Sequence, residues 1–127
     1  MKANELMPND LVEYGGKVVQ VLQLDRGVEY PHINPLPLTP EFMRKNEFKE
    51  ILRHFCISAK KGVFVSLDKE GEKNGSIDGI TVKSFSFGTV YVQVNMSQQE
   101  IGKVLYVNEF QHLLRVLGSD KADTLKY

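Results

Sequence analysis

The sequence predicts an α+β fold, in which a mainly antiparallel, curved sheet carries a short helix after Thr39 and a C-terminal helix. Three observations predict it. Runs rich in Val, Ile, Tyr and Phe, separated by glycine-bearing turns, recur along the first hundred positions. Thr39-Pro40-Glu41 combines a capping threonine, a proline tolerated at the first helical position and an acid suited to the positive helix end. Phe110, Leu113, Leu114 and Leu117 recur at i, i+3, i+4 and i+7, just before Gly118.

The elements follow in order. Leu11-Val12-Glu13-Tyr14 and Lys17 to Leu24 flank Gly15-Gly16, a hairpin signal because a type I′ turn needs positive φ at both central positions. The second strand is apolar on both faces, which predicts a central or strongly curled strand. Val28-Glu29-Tyr30 after the Asp25-Arg26-Gly27 turn suggests a third strand, and the three together an SH3-like start. Pro31, Pro35, Pro37 and Pro40 bias Ile33 to Leu38 to an extended edge strand or connector. A helix from Pro40 to about Asn46 follows.

Residues 48–58 read equally as helix or strand, since Phe48, Ile51, Leu52 and Phe55 have helical spacing while Phe55-Cys56-Ile57 is β-prone. Val63 to Leu67 predicts a strand, and Asp68 to Gly79 a polar loop. Ile80–Phe87 and Thr89–Met96 predict a hairpin about Gly88, the second strand burying Val90, Val92, Val94 and Met96. Ser97-Gln98-Gln99-Glu100 has capping-box spacing. The β-prone Val104-Leu105-Tyr106-Val107 nevertheless favours a strand there, then a helix from Val107 to Leu117. Within that helix Glu109, Gln111 and Arg115 are expected to face water or a partner.

At 127 residues the chain is expected to form a single domain, 1–127. Apolar content of 42% and charged content of 25% are those of an ordinary soluble chain. Sixteen basic residues balance sixteen acidic ones, so no overall field steers the chain toward nucleic acid or an anionic membrane. Zero net charge also removes self-repulsion and predicts association, possible as a homodimer. One cysteine, Cys56, with no apolar run of signal or membrane-span length, predicts a cytoplasmic protein.

Two segments together resemble a family of small uncharacterised proteins of Bacteroidetes bacteria and their phages or mobile elements. The first is Ile33-Asn34-Pro35-Leu36-Pro37-Leu38-Thr39-Pro40-Glu41, then Asn46-Glu47-Phe48 where glycine is common in the middle. The second is Tyr106-Val107-Asn108-Glu109-Phe110-Gln111-His112-Leu113-Leu114, with Asn108 where histidine is frequent. The resemblance covers roughly the first 48 and the last 25 residues. It implies a shared fold and a mobile-element setting, and it implies no activity.

The residues that bear chemistry do not converge on a reaction. Glu109 and His112 have Glu-x-x-His spacing, but a di-iron site needs a second such motif. His54 and Cys56 would share one face of a strand, yet no further residue in the sequence marks a base or its orienter. Walker, dinucleotide, zinc and serine-elbow motifs are missing from the sequence. No catalytic residue, metal site or cofactor is therefore assigned, and the protein is not expected to be an enzyme. The expected function is a non-catalytic interaction or structural accessory protein. Its surface would comprise Pro31, Ile33, Pro35 and Pro37 of the extended segment and Glu109, Leu113 and Val116 of the last helix. The partner would be another protein or a second copy, with nucleic acid not expected as the main partner and no membrane expected. The alternative is a nucleic-acid-binding module using Phe85, Phe87 and Tyr91 as a stacking platform with Lys60 and Lys61 nearby.

Overall fold

The structure, a computed structural model, describes residues 5–21, 32–51, 54–68, 74–77, 80–83, 88–95 and 97–127. The chain divides into two compact units, Met1–Leu38 with Leu105–Tyr127, and Thr39–Val104. The class is α+β with mostly antiparallel strands.

The first unit is built on β1 (Leu11–Tyr14), β2 (Lys17–Gln20) and β3 (Ile33–Pro35), paired in the order β2-β1-β3. Gly15 and Gly16 have φ of +58° and +80°, as the expected I′ turn requires. Among the described residues the apolar β2 is nevertheless an edge strand, and Val18 is exposed; the four-residue β1 takes the centre because β3 closes on its other side. Leu22, Leu24 and the expected strand Val28–Tyr30 lie outside the described residues. The proline-rich segment beyond β3 is already paired: Leu38 N–H donates to Leu105 O, and Leu36 O accepts Val107 N–H. The backbone groups that a visiting strand would use at Leu36 and Leu38 are thereby taken. Helix α2 (Val107–Val116) buries Val107, Phe110 and Leu114. A 3₁₀ turn, Asp120–Asp123, follows and buries Ala122.

The second unit opens with helix α1 (Pro40–Lys45), whose Phe42 N–H donates to the Thr39 hydroxyl at 3.2 Å. Residues 49–51 and 54–60 are strands β4 (Lys49–Ile51) and β5 (His54–Lys60), so the helix reading of 48–58 falls. Strands β6 (Val63–Asp68), β9 (Thr89–Val94) and β10 (Ser97–Lys103) complete a five-stranded antiparallel sheet, ordered β10-β9-β6-β5-β4. The capping-box spacing at Ser97 thus starts a strand, with a bulge between Glu100 and Gly102. One face of the sheet is apolar. Phe55, Val63, Val65, Leu67, Val90 and Val92 are buried, and the Arg44 guanidinium lies 5.6 Å over the Phe55 ring.

Three expectations here are corrected. The presumed polar loop contains β7 (Asn74–Ile77), which pairs with β8 (Ile80–Lys83). Strand β8 therefore does not form a hairpin with β9, whose partners are β6 and β10. Gly88 instead bonds across to Val104, whose N–H donates to its carbonyl at 2.8 Å. Val94, expected inside, is exposed at the end of the sheet.

Candidate functional site

In the first unit most of the polar residues of α2 serve the fold. Gln111, expected at the surface, is only 1% exposed. Its Oε1 accepts Leu11 N–H at 2.8 Å, and its Nε2 donates to Asn9 O at 3.1 Å and Ala122 O at 2.9 Å. One amide thus satisfies three backbone groups from two segments far apart in sequence. Beside it the buried carboxylate of Asp10 accepts from Met7 N–H and lies 2.6 Å from both His112 Nε2 and Arg115 Nη1. Arg115 also reaches Asp123 at 3.2 Å. A buried charge needs such a set of partners. His112 is thereby engaged with Asp10. Glu109 points to the start of its own helix, where Oε1 accepts the N–H groups of Tyr106 and Leu105 at 3.0 and 3.1 Å.

The other expected contact residues fall out unevenly. Ile33 and Pro35 are half-buried and Pro37 is exposed, while Pro31 lies outside the described residues. Leu113 is half-buried and Val116, at 83% exposed, is the most open large apolar side chain of the described residues. Asn108 is buried and donates to Glu5 O at 3.5 Å. A groove of about 470 Å³ runs between β2 and the C-terminal residues, lined by Val18, Val19, Leu125 and Tyr127 among others.

The second unit presents a different kind of surface. Alternation along β5, β6 and β9 puts His54, Cys56 and Ser58, then Phe64, Ser66 and Asp68, then Tyr91 and Gln93, on the face opposite the apolar one. The register aligns Lys49, Cys56, Ser66, Tyr91 and Glu100 in one row across all five strands. Ser58, Phe64, Gln93 and Gln98 form the next row. Phe64 and Tyr91 are diagonal neighbours on the two central strands, a separation that aromatic side chains span.

Tyr91 packs against His54: the two rings meet edge-on with centroids 5.6 Å apart. His54 Nδ1 lies 3.2 Å from Asp68 Oδ1, a contact without good hydrogen-bond alignment. Burial, then the negative charges of Asp68 and Glu100, push the Tyr91 phenol above its ordinary range. Burial likewise raises the Cys56 thiol, with the Lys49 ammonium offsetting part of the rise. That is the opposite of the depressed pKa of an activated nucleophile. Among the described residues no group of three or more His, Cys, Asp or Glu side chains is placed to hold a metal.

Phe64 is the residue that sequence reasoning passed over. It is 48% exposed, on a central strand, with Ser58 and Gln93 directly across from it. The signal was present in Val-Phe-Val-Ser-Leu-Asp, where alternation alone sets Phe64 on the polar side with Ser66 and Asp68. Of the expected stacking residues, Tyr91 joins this face, while Phe85 and Phe87 lie outside the described residues. Lys60 and Lys61 are exposed at the β5–β6 turn, next to the Ser58–Phe64 row. No family model, curated protein or solved structure matches the chain. No helix among the described residues is long and apolar enough to cross a membrane.

Proposed function

We propose that the chain is a non-catalytic binding protein whose contact surface is the polar, aromatic-bearing face of the five-stranded sheet. Phe64 carries this reading: a large ring at the middle of the sheet is left half in water, where a bound ligand would cover it. Tyr91, packed edge-on against His54, supplies a second ring one diagonal step away. Rigid aromatic anchors among amides and hydroxyls lose little side-chain entropy on binding. A cytoplasmic setting suits a lone thiol, and an accessory role suits the mobile-element resemblance. The test is a set of ¹H–¹⁵N spectra of the full chain titrated with uridine monophosphate, a short tyrosine-bearing peptide and a glucose trisaccharide. Shifts clustering at residues 64, 66, 91 and 93 are expected with at least one probe. Shifts confined to 107–117, or none with any probe, would reject this surface.

A second reading rests on Val116. A symmetric dimer through the outer side of α2 would cover that side chain and the neighbouring Leu113, using one patch twice.

A further inference from the structure

We infer that the partner of the sheet face is single-stranded nucleic acid, with a base stacked on Phe64 beside Tyr91 and phosphates at Lys60 and Lys61. This rests on the sheet-face reading above and names its ligand class.

The argument begins with what an exposed ring on this face can recognise. Phe64 has polar cross-strand neighbours, Ser58 on β5 and Gln93 on β9. A protein partner would call for a contiguous apolar patch, whereas among the described residues the side chains directly across from Phe64 are polar. A flat π-face bordered by amide and hydroxyl groups suits an unstacked base instead. The ring takes the base plane, and Ser58, Gln93 and Gln98 offer donors and acceptors to its edges. Tyr91 lies one diagonal step away, so a second base has a platform held at a fixed angle by His54.

Charge decides between a nucleic acid and a neutral ligand. Lys60 and Lys61 are exposed at the β5–β6 turn, where the bulge after Ser58 sets Lys60 opposite Val63 and leaves Lys61 at the turn beyond Phe64, and Lys49 is exposed in the Tyr91 row. The turn is fixed in place, because Gly62 O accepts Asn95 N–H at 3.1 Å from the neighbouring β9–β10 turn. Of the acids on this face among the described residues, Asp68 is buried and lies 3.2 Å from His54 Nδ1. Glu100 stands across from Tyr91 on the edge strand, away from the lysine pair. The zero net charge of the chain hides this arrangement: residues 39–104 carry ten basic and eight acidic groups, and the acidic excess belongs to the remainder. A duplex keeps its bases stacked and gives the rings nothing to cover, so the face selects single strands.

The experiment measures fluorescence anisotropy of labelled oligothymidine and oligouridine, about 15 nucleotides long, with the full chain. At 50 mM salt a Kd of about 10–100 µM is expected, within the range of contacts without sequence readout. Raising salt to 200 mM should weaken binding roughly 7- to 18-fold, for two to three phosphates each releasing about 0.7 of a counterion. Phe64→Ala should weaken it at least about fivefold, the loss of one stacked base. Phe64 is exposed, so the fold should survive, and an unchanged thermal melt checks this. The Lys60→Gln/Lys61→Gln pair should flatten the salt dependence. Absence of saturable binding overturns the inference, as does a Phe64→Ala variant that binds like the parent or a duplex that binds equally well. If oligonucleotides fail while the peptide or trisaccharide still shifts residues 64 and 91, the ligand class is wrong and the surface stands. If oligonucleotides bind without involving Phe64, the surface itself is wrong.

Discussion

Glu47 occupies in α1 the position that Gly118 occupies in α2. Each follows the helix C-cap with a left-handed backbone, φ of +61° and +80°. Each helix closes with the same pair of bonds. Glu47 N–H donates to Arg44 O and Phe48 N–H to Met43 O; Gly118 N–H donates to Arg115 O and Ser119 N–H to Leu114 O. This is the Schellman arrangement, in which glycine is favoured because a Cβ is strained at positive φ. Glu47→Gly should therefore stabilise the protein by about 1 kcal/mol, and Gly118→Ala should cost a similar amount. Urea unfolding of both variants checks the pair. A destabilised Glu47→Gly would show that its side chain has a role that outweighs the strain.

Gln111 should be far less replaceable than a helix glutamine normally is. Gln111→Leu keeps the volume but strands the N–H of Leu11 and the carbonyls of Asn9 and Ala122. Each orphaned buried group costs about 1–3 kcal/mol, so a loss of about 3 kcal/mol or more is expected. Asp10→Asn should be of similar severity, because it removes the charge that faces His112 and Arg115. A change below about 1 kcal/mol in either urea midpoint would contradict this account of the core.

These two cases show what the sequence makes legible. Local rules sufficed where neighbours in sequence decide the outcome: the Thr39 cap, the Gly15-Gly16 turn, and the buried Phe110 and Leu114. They failed where the deciding partner is distant. Nothing near Gln111 marks it as buried, since its partner Leu11 lies 100 residues away. The edge position of β2 depends likewise on β3 closing over β1, and the lost β8–β9 hairpin on β6 pairing with β9. At the candidate face, strand alternation already separated Phe64 from Val63 and Val65, whereas its adjacency to Tyr91 required the β6–β9 register.

Cys56 should react slowly. Burial raises its pKa above the ordinary thiol value, and Lys49, directly across on β4, offsets only part of the rise. The thiolate is the reacting species, so alkylation by iodoacetamide at pH 8 should be slower than for a free peptide thiol. Lys49→Gln should slow it further and move its pH profile upward. The sign for stability follows from the same shift. A thiol whose native pKa is raised contributes stability that is present below the unfolded value and lost as pH rises through the native one. A rate equal to that of a free thiol would mean that burial does not govern this group.

Self-association through α2 predicts a concentration-dependent dimer at high micromolar protein. Val116→Glu should disperse it and leave the melting temperature nearly unchanged, because the side chain is already in water. Sedimentation across a concentration series checks both halves. A monomer at every concentration would remove the dimer and free this side of the helix.

Gly88 should be the least tolerant turn glycine of the described residues. Its φ is +103°, and a Cβ there would collide with the carbonyl oxygen of Val104. That oxygen cannot swing aside cheaply, because the N–H of the same Val104 donates to Gly88 O at 2.8 Å and holds the two backbones together. Gly15 gives the comparison. Its φ of +58° is also left-handed, but nothing lies within 4 Å of the added carbon. Gly15→Ala should therefore cost only the backbone strain, about 1 kcal/mol, whereas Gly88→Ala should add a steric term and reach about 3 kcal/mol or more. The two are measured side by side by urea unfolding. Equal losses would show that strain alone decides, and that the contact between Gly88 and Val104 relaxes at no cost.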